Sequence, residues 1–210
     1  MLKKYLVLIV LFVLPLVAYL FFASGINNFA KLPVLTNNIK NLESLTNQPF
    51  NNKITILFFI GSEIDLREGD ALNLNQKIYK RFYQFKDFQF ISISPIGNEK
   101  KSSLLREKLS SGTNTDMKNW SFIHLSNDEI ISVFKSLDTS LELDEYLGSP
   151  FAFIIDKDSS LRGRDDSDGI KFGYDSRSVA DINNNMLDDV KIILAEYRLA
   201  LKKNNIFNEK

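Results

Sequence analysis

Seven consecutive residues, Ile54-Thr55-Ile56-Leu57-Phe58-Phe59-Ile60, carry no charge and show no polar alternation. A strand with one wet face alternates apolar and polar side chains. An unbroken β-branched and aromatic run fits a strand covered on both faces, hence the middle of a sheet with helices on either side. The flanking sequence supplies those layers. Ala71, Leu74, Ile78, Phe82 and Phe85 recur at helical spacing, which predicts an amphipathic helix over 70–86. A second strand comes next at 88–94, then a polar helix at 98–110 and a loose loop at 111–119. A short strand is expected at 120–124, and Asn127 is expected to cap a helix running through Ile131 and Phe134. Phe151 to Asp156 is the next strand, with Lys157 to Ser160 turning into a hairpin partner, Leu161 to Arg164. Met186, Val190, Ile193, Leu194, Tyr197 and Leu201 line one face of a final helix.

Alternating strands and helices give parallel strands with crossovers, and the late hairpin adds antiparallel ones. The expected class is α/β, a thioredoxin-like mixed sheet flanked by helices. The 54–60 strand should lie between those at 88–94 and 151–156, with Ile56, Phe58 and Phe153 buried. Seventeen Phe and seven Tyr are ample for such a core. Twenty-six basic residues balance 26 acidic ones, so nucleic acid is not an indicated partner. Cysteine is absent and there is one His. That excludes disulfides, thiol catalysis, cysteine zinc sites and multi-histidine metal centres. No cofactor is expected.

Lys3 and Lys4 precede an apolar run from Tyr5 to Phe22. Its 18 residues reach the lower end of the roughly 17–25 that span a bilayer and exceed the usual signal-peptide core, while the small residues of Phe22-Ala23-Ser24-Gly25 leave cleavage there open as the alternative to a retained anchor. Pro15 is tolerated in a membrane helix. The expected organisation is a transmembrane anchor over 1–25, a linker and entry segment over 26–50, the folded domain over 51–203, and a frayed tail over 204–210. Basic residues before the run place the N-terminus in the cytoplasm and the domain on the extracytoplasmic (periplasmic) side of the cytoplasmic membrane.

The order of several motifs resembles the Sco (SenC-like) proteins, membrane-anchored thioredoxin-fold proteins of copper delivery to cytochrome c oxidase. They are the N-terminal anchor, Leu32-Pro33-Val34-Leu35, Phe58-Phe59, Trp120-Ser121-Phe122-Ile123, the Phe151–Gly169 hairpin and the last helix. The resemblance covers roughly 30–203. In that family a Cys-x-x-x-Cys pair after the first strand and a distant His bind copper, thiolate sulfur being soft enough for Cu(I). Here Ser62 and Leu66 stand where the cysteines belong, and Tyr146 to Pro150 contains no His. The resemblance therefore implies a degenerate member: scaffold kept, copper and dithiol chemistry removed. It also implies a cis-proline at Pro150, against which an ordinary trans proline at a strand start stands equally open.

Three polar groupings remain. Ser62, Glu63, Asp65, Glu68 and Asp70 crowd the first helix start, where offsetting the helix dipole explains the acids without a cation. Asp156, Asp158, Asp165, Asp166 and Asp168 surround the hairpin, but Leu161 and Ser167 replace the Gly and Glu of a calcium loop, so a turn is the better account. His124, at a strand end, fits a packed histidine. Two functions are expected on these grounds. The first is a non-catalytic domain binding an unidentified membrane or envelope protein, in respiratory or envelope assembly. Its face would consist of Ser62, Glu63, Ile64, Asp65, Leu66, Ser149 and Pro150, with 111–119 as a further contributor. The second is a residual enzyme or hard-cation binder using Glu63, Asp65 and His124. Within that face, Ile64 and Leu66 either anchor a partner or fold inward and plug the space of the lost site; the inward arrangement is preferred because it buries carbon.

Overall fold

The computed structural model describes residues 2–23, 31–42, 50, 52–167 and 169–208. The chain divides into two compact units, Met1–Ala30 and Lys31–Lys210. The first is helix α1 (Leu2–Ala23), which contains Pro15. Its window Lys3–Leu20 has a mean hydropathy of 2.0, long and apolar enough to cross a membrane, a test that a signal sequence also passes.

In the second unit, β1 (Val34–Thr36), β2 (Ile54–Ile60), β3 (Phe88–Pro95), β4 (Trp120–Leu125), β5 (Gly148–Ile155), β6 (Leu161–Arg162) and β9 (Tyr174–Asp175) form one sheet in the order β1-β6-β5-β2-β3-β4, β9 pairing with β5. Strands β2, β3 and β4 run parallel, while β5 is antiparallel to β2. β7 (Arg164–Asp166) and β8 (Gly169–Lys171) make a separate hairpin. All seven residues of β2 are buried, as the unbroken apolar run requires. Their side chains divide between two cores. Ile54, Ile56, Phe58 and Ile60 join one with Trp120, Ile78 and Val190, and Leu57 and Phe59 join the other with Phe134 and Phe153. Helices therefore cover both faces of a mixed sheet, and the fold is thioredoxin-like. The expected position of β2 between β3 and β5 holds, and Ile56, Phe58 and Phe153 are fully buried.

Several boundaries differ from the expectation. The first domain helix, α2 (Ile64–Leu74), begins six residues early and continues through a π-helical stretch, Asn75–Tyr79, to Lys80–Phe82. Phe85 lies beyond its end and is 50% exposed, because the chain is already turning back toward β3. Helix α3 (Glu99–Thr113) runs into the segment expected as a loop. The residues between α3 and β4 are held in place: the Tyr79 hydroxyl donates to the Asp116 carbonyl at 2.8 Å and accepts from the Asn119 N–H at 3.2 Å. Helix α4 (Asn127–Lys135) is capped by Ser126 and not by Asn127. Ser126 and Glu129 form a reciprocal capping box, and the Ser-x-x-Glu spacing that specifies it is present in the sequence. The hairpin partner stops at Arg162, since the chain leaves the sheet at Gly163. Helix α5 (Leu187–Asn208) is entered through Val179–Asp181 and a second π-helical stretch, Ile182–Met186.

Candidate functional site

The loop after β2 lies at the carboxyl end of the three parallel strands, where α/β sheets bind ligands. Two features bring the 144–150 segment against it. Ile60 pairs with Gly148 in the ladder, and the Ser62 N–H donates to the Tyr146 carbonyl at 2.8 Å. The approach is so close that Gly61 cannot carry a side chain. A Cβ there would lie 2.7 Å from the Tyr146 oxygen and 2.8 Å from the Gly148 nitrogen, and φ is +75°.

Charge then locks the contact. Arg67 donates to Asp144 Oδ2 at 2.6 Å and to Asp70 Oδ2 at 3.3 Å. The other Asp144 oxygen accepts the N–H groups of Tyr146 and Gly148 at 3.0 and 2.8 Å. A carboxylate with backbone donors on one oxygen and a guanidinium on the other is well satisfied. Burial pushes the Asp70 carboxyl above its ordinary value, against the opposing pull of Arg67. Neither Arg67 nor Asp144 is among the residues that the sequence marks for this site. Arg67 and Asp70 are separated by three residues on a helix, a legible pairing; no sequence signal links Arg67 to a residue 77 positions away.

The seven residues of the expected face separate into groups. Ile64 is 2% exposed and belongs to the core, and Ser149 is fully buried, its hydroxyl accepting the Phe151 N–H. Pro150 is half-buried, its carbonyl accepting the Ser176 N–H, and its peptide bond is trans, which decides against the implied cis form. Ser62 and Glu63 are half-buried, Glu63 lying 3.8 Å from the Lys101 ammonium. Asp65 is exposed, and Leu66 is 63% exposed. The preferred inward arrangement of Leu66 is therefore wrong. Ile64, on the inner side of the first helical turn, fills the core, and two residues further on a helix points another way. Residues 111–119 also drop out of the face. They precede β4, so they lie at the opposite end of the parallel strands from the loop after β2. The end that holds Leu66 instead carries Ile96, 66% exposed just after β3, and Tyr146, 38% exposed.

The cation reading gains no geometry. His124 Nε2 lies 3.1 Å from the Ser102 hydroxyl, and among the described residues no three His, Cys, Asp or Glu side chains converge on a point. At the hairpin, buried Asp156 accepts from the N–H groups of Asp158 and Ser160 and pairs with Arg162 at 3.0 Å. Arg162 also reaches Glu196 and the Leu32 carbonyl, so Asp156 is a turn-former and an internal ion-pair partner. Asp165 is exposed, nothing is described of the Asp166 side chain, and Asp168 lies outside the described residues.

No family model matches the chain, and no curated protein sequence does. Solved structures of similar backbone include BsSco, of the Sco family of cytochrome c oxidase assembly proteins (17% identity, covering 77% of this chain and 94% of that one, TM-score 0.47). A SCO1/SenC family lipoprotein from Bacillus anthracis is similar at 17% identity (84% and 99% covered, TM-score 0.44), and a thiol:disulfide interchange protein from Bacteroides sp. at 18% (63% and 79%, TM-score 0.41).

Proposed function

We propose that this chain is a membrane-anchored, extracytoplasmic, thioredoxin-like domain that binds another protein without copper or thiol chemistry. The observation that carries the reading is the state of the loop after β2. It holds no thiol, it is fastened to the 144–148 segment by Arg67, and it turns Leu66 outward. A rigid loop needs little ordering on binding, which favours association. Leu66, Ile96 and Tyr146 offer apolar contacts at one end of the sheet, with Glu63, Asp65 and Glu145 as a charged rim. Apolar anchors inside a polar rim are the anatomy of a modest interface. Anchoring by α1 confines the domain to the membrane plane and raises its effective concentration toward other membrane proteins. A protein of the cell envelope undergoing assembly, such as a respiratory-complex subunit, is the proposed partner class.

The test is position-specific photocrosslinking of the full chain in its native membrane. A crosslinker at Leu66 or Ile96 should capture the same protein, one at Lys135 on α4 should not, and Leu66→Asp should abolish capture at Ile96. Equal adducts from all three positions, or none from any, would refute the proposal.

A further inference from the structure

The chain is neutral as a whole, but its charges divide between the two ends of the sheet. Glu63, Asp65 and Glu145 stand around the loop after β2. The other end, where β2, β3 and β4 begin, is basic. Backbone bonds gather its segments. The Ile54 N–H donates to the Asp87 carbonyl at 2.7 Å, the Asn52 N–H to the Lys157 carbonyl at 3.0 Å, and the Phe88 N–H to the Phe85 carbonyl at 3.2 Å. Lys53 precedes β2, Lys86 precedes β3, and Lys80 and Arg81 lie in the Lys80–Phe82 turn that leads there. With Lys118 and Lys157 these cations outnumber the carboxylates of the same end, Asp87, Asp116 and Asp158, by three. Asp87 holds the Lys157 ammonium at 2.6 Å, Asp116 lies 3.6 Å from Lys118, and Asp158 accepts the Tyr197 hydroxyl at 3.2 Å. No described carboxylate pairs with Lys53, Lys80, Arg81 or Lys86, and the last three are exposed. Phe85 stands among them, 50% exposed.

An exposed aromatic ring rimmed by lysine and arginine suits the bilayer interface. The ring enters the headgroup layer, and the flexible cationic side chains reach the phosphates. The chain path brings such a surface within reach. Val34 pairs with Arg162, Arg162 with Ile154 and Ile154 with Ile56, so the entering chain joins the sheet near its basic end. Seven residues, 24–30, separate α1 from Lys31, and seven residues extend about 25 Å at most.

We propose that this basic end of the domain seats on the anionic headgroups of a phospholipid bilayer, with Phe85 in the headgroup layer and Lys53, Lys80, Arg81 and Lys86 on phosphates. The proposal rests on α1 being a membrane anchor, as read above. The acidic end is repelled by the same surface, so the field also sets the orientation. Leu66 and Ile96 then stand at the far end of seven-residue strands, roughly 20 Å further from the bilayer. A partner meets them with a part that projects from the membrane.

The test reconstitutes the full chain in vesicles of phosphatidylcholine with or without 30% phosphatidylglycerol. Because the protein has no cysteine, Gln84→Cys beside Phe85 and Asp65→Cys at the opposite end each take one fluorescent label. With a headgroup-spin-labelled lipid as quencher, the label at 84 should be quenched at least ~3-fold more than that at 65 in the anionic vesicles, and the difference should vanish in phosphatidylcholine alone. Each cation contributes about fivefold to anionic binding, so Lys80→Gln, Arg81→Gln and Lys86→Gln together should bring quenching at 84 down to the level at 65. If that variant does not fold by circular dichroism, the lipid comparison decides alone. Equal quenching at 84 and 65 in anionic vesicles, quenching at 84 that ignores phosphatidylglycerol, or quenching unmoved in the folded triple variant overturns the proposal. Resistance of the chain to an alkaline wash reads the anchor separately. A chain that washes off yet shows the lipid-dependent difference at 84 supports the seat and refutes the anchor, and capture at Leu66 reads the partner independently of both.

Discussion

Ile64 and Leu66 stand two residues apart in one helical turn and should respond oppositely to truncation. Ile64 is 2% exposed and sits in the core cluster that contains Trp120; Leu66 is 63% exposed. Ile64→Ala removes three carbons, about 2.4 kcal/mol at roughly 0.8 kcal/mol per buried methylene. The remaining cavity adds to that, so the total should fall within about 2–5 kcal/mol. Neighbouring Gly61 and Arg67 fix the loop against 144–148, which limits its collapse into the space and favours the upper half of that range. Leu66→Ala should change stability by no more than about 0.5 kcal/mol, the ordinary surface result. At roughly 2–4 °C per kcal/mol for a domain of this size, the first variant loses on the order of 7–20 °C in Tm and the second about 2 °C at most. Trp120 is the only tryptophan and is fully buried, so its fluorescence in urea follows unfolding of the domain without contribution from α1. A Leu66→Ala loss above about 2 kcal/mol, or an Ile64→Ala loss below about 1, would refute the assignment of Ile64 as the plug and Leu66 as the surface residue.

The Arg67–Asp144 pair, with side chains 15% and 31% exposed, lies between surface and buried ion pairs. A double-mutant cycle with Arg67→Met and Asp144→Asn should give a coupling of about 1–2 kcal/mol, and a value near zero would show that the loop is held by its backbone bonds alone. Asp70 titrates higher in the folded domain than in the unfolded chain, so the native state keeps its proton longer. Its contribution is greatest below the unfolded carboxylate value and declines as pH rises through the raised native one. The stability of the wild type relative to Asp70→Asn should therefore fall with increasing pH across the acid range in urea titrations; a rise would contradict the burial of Asp70. Burial pushes Tyr79 up to about 12, and its folded contribution is lost above the ordinary tyrosine value of 10, as pH rises toward 12. Ultraviolet titration of the native protein should show Tyr79→Phe removing absorbance change only at that high end.

The layered architecture was legible in the amino-acid sequence because burial writes itself into local pattern. A seven-residue run with no polar break states that β2 has both faces covered, and a stripe at helical spacing states which side of a helix is wet. The zero cysteine count removed thiol and copper-thiolate chemistry before any geometry was known. Elements ended where sequence pattern and chain return competed, as at Phe85, whose spacing is helical but whose position must serve the turn into β3. The details of the site were decided only in three dimensions. Leu66 is apolar, and nothing local says whether an apolar residue in the first turn of a helix faces a core or solvent; the docking of α2 on the sheet determines that Ile64 takes the inner position. The Arg67–Asp144 lock and the Arg162–Glu196 pair join residues 77 and 34 positions apart, and ion-pair partners at such separations leave no periodic trace. The place of β4 at the end of the sheet is likewise a property of strand order, which nothing within its own six residues sets.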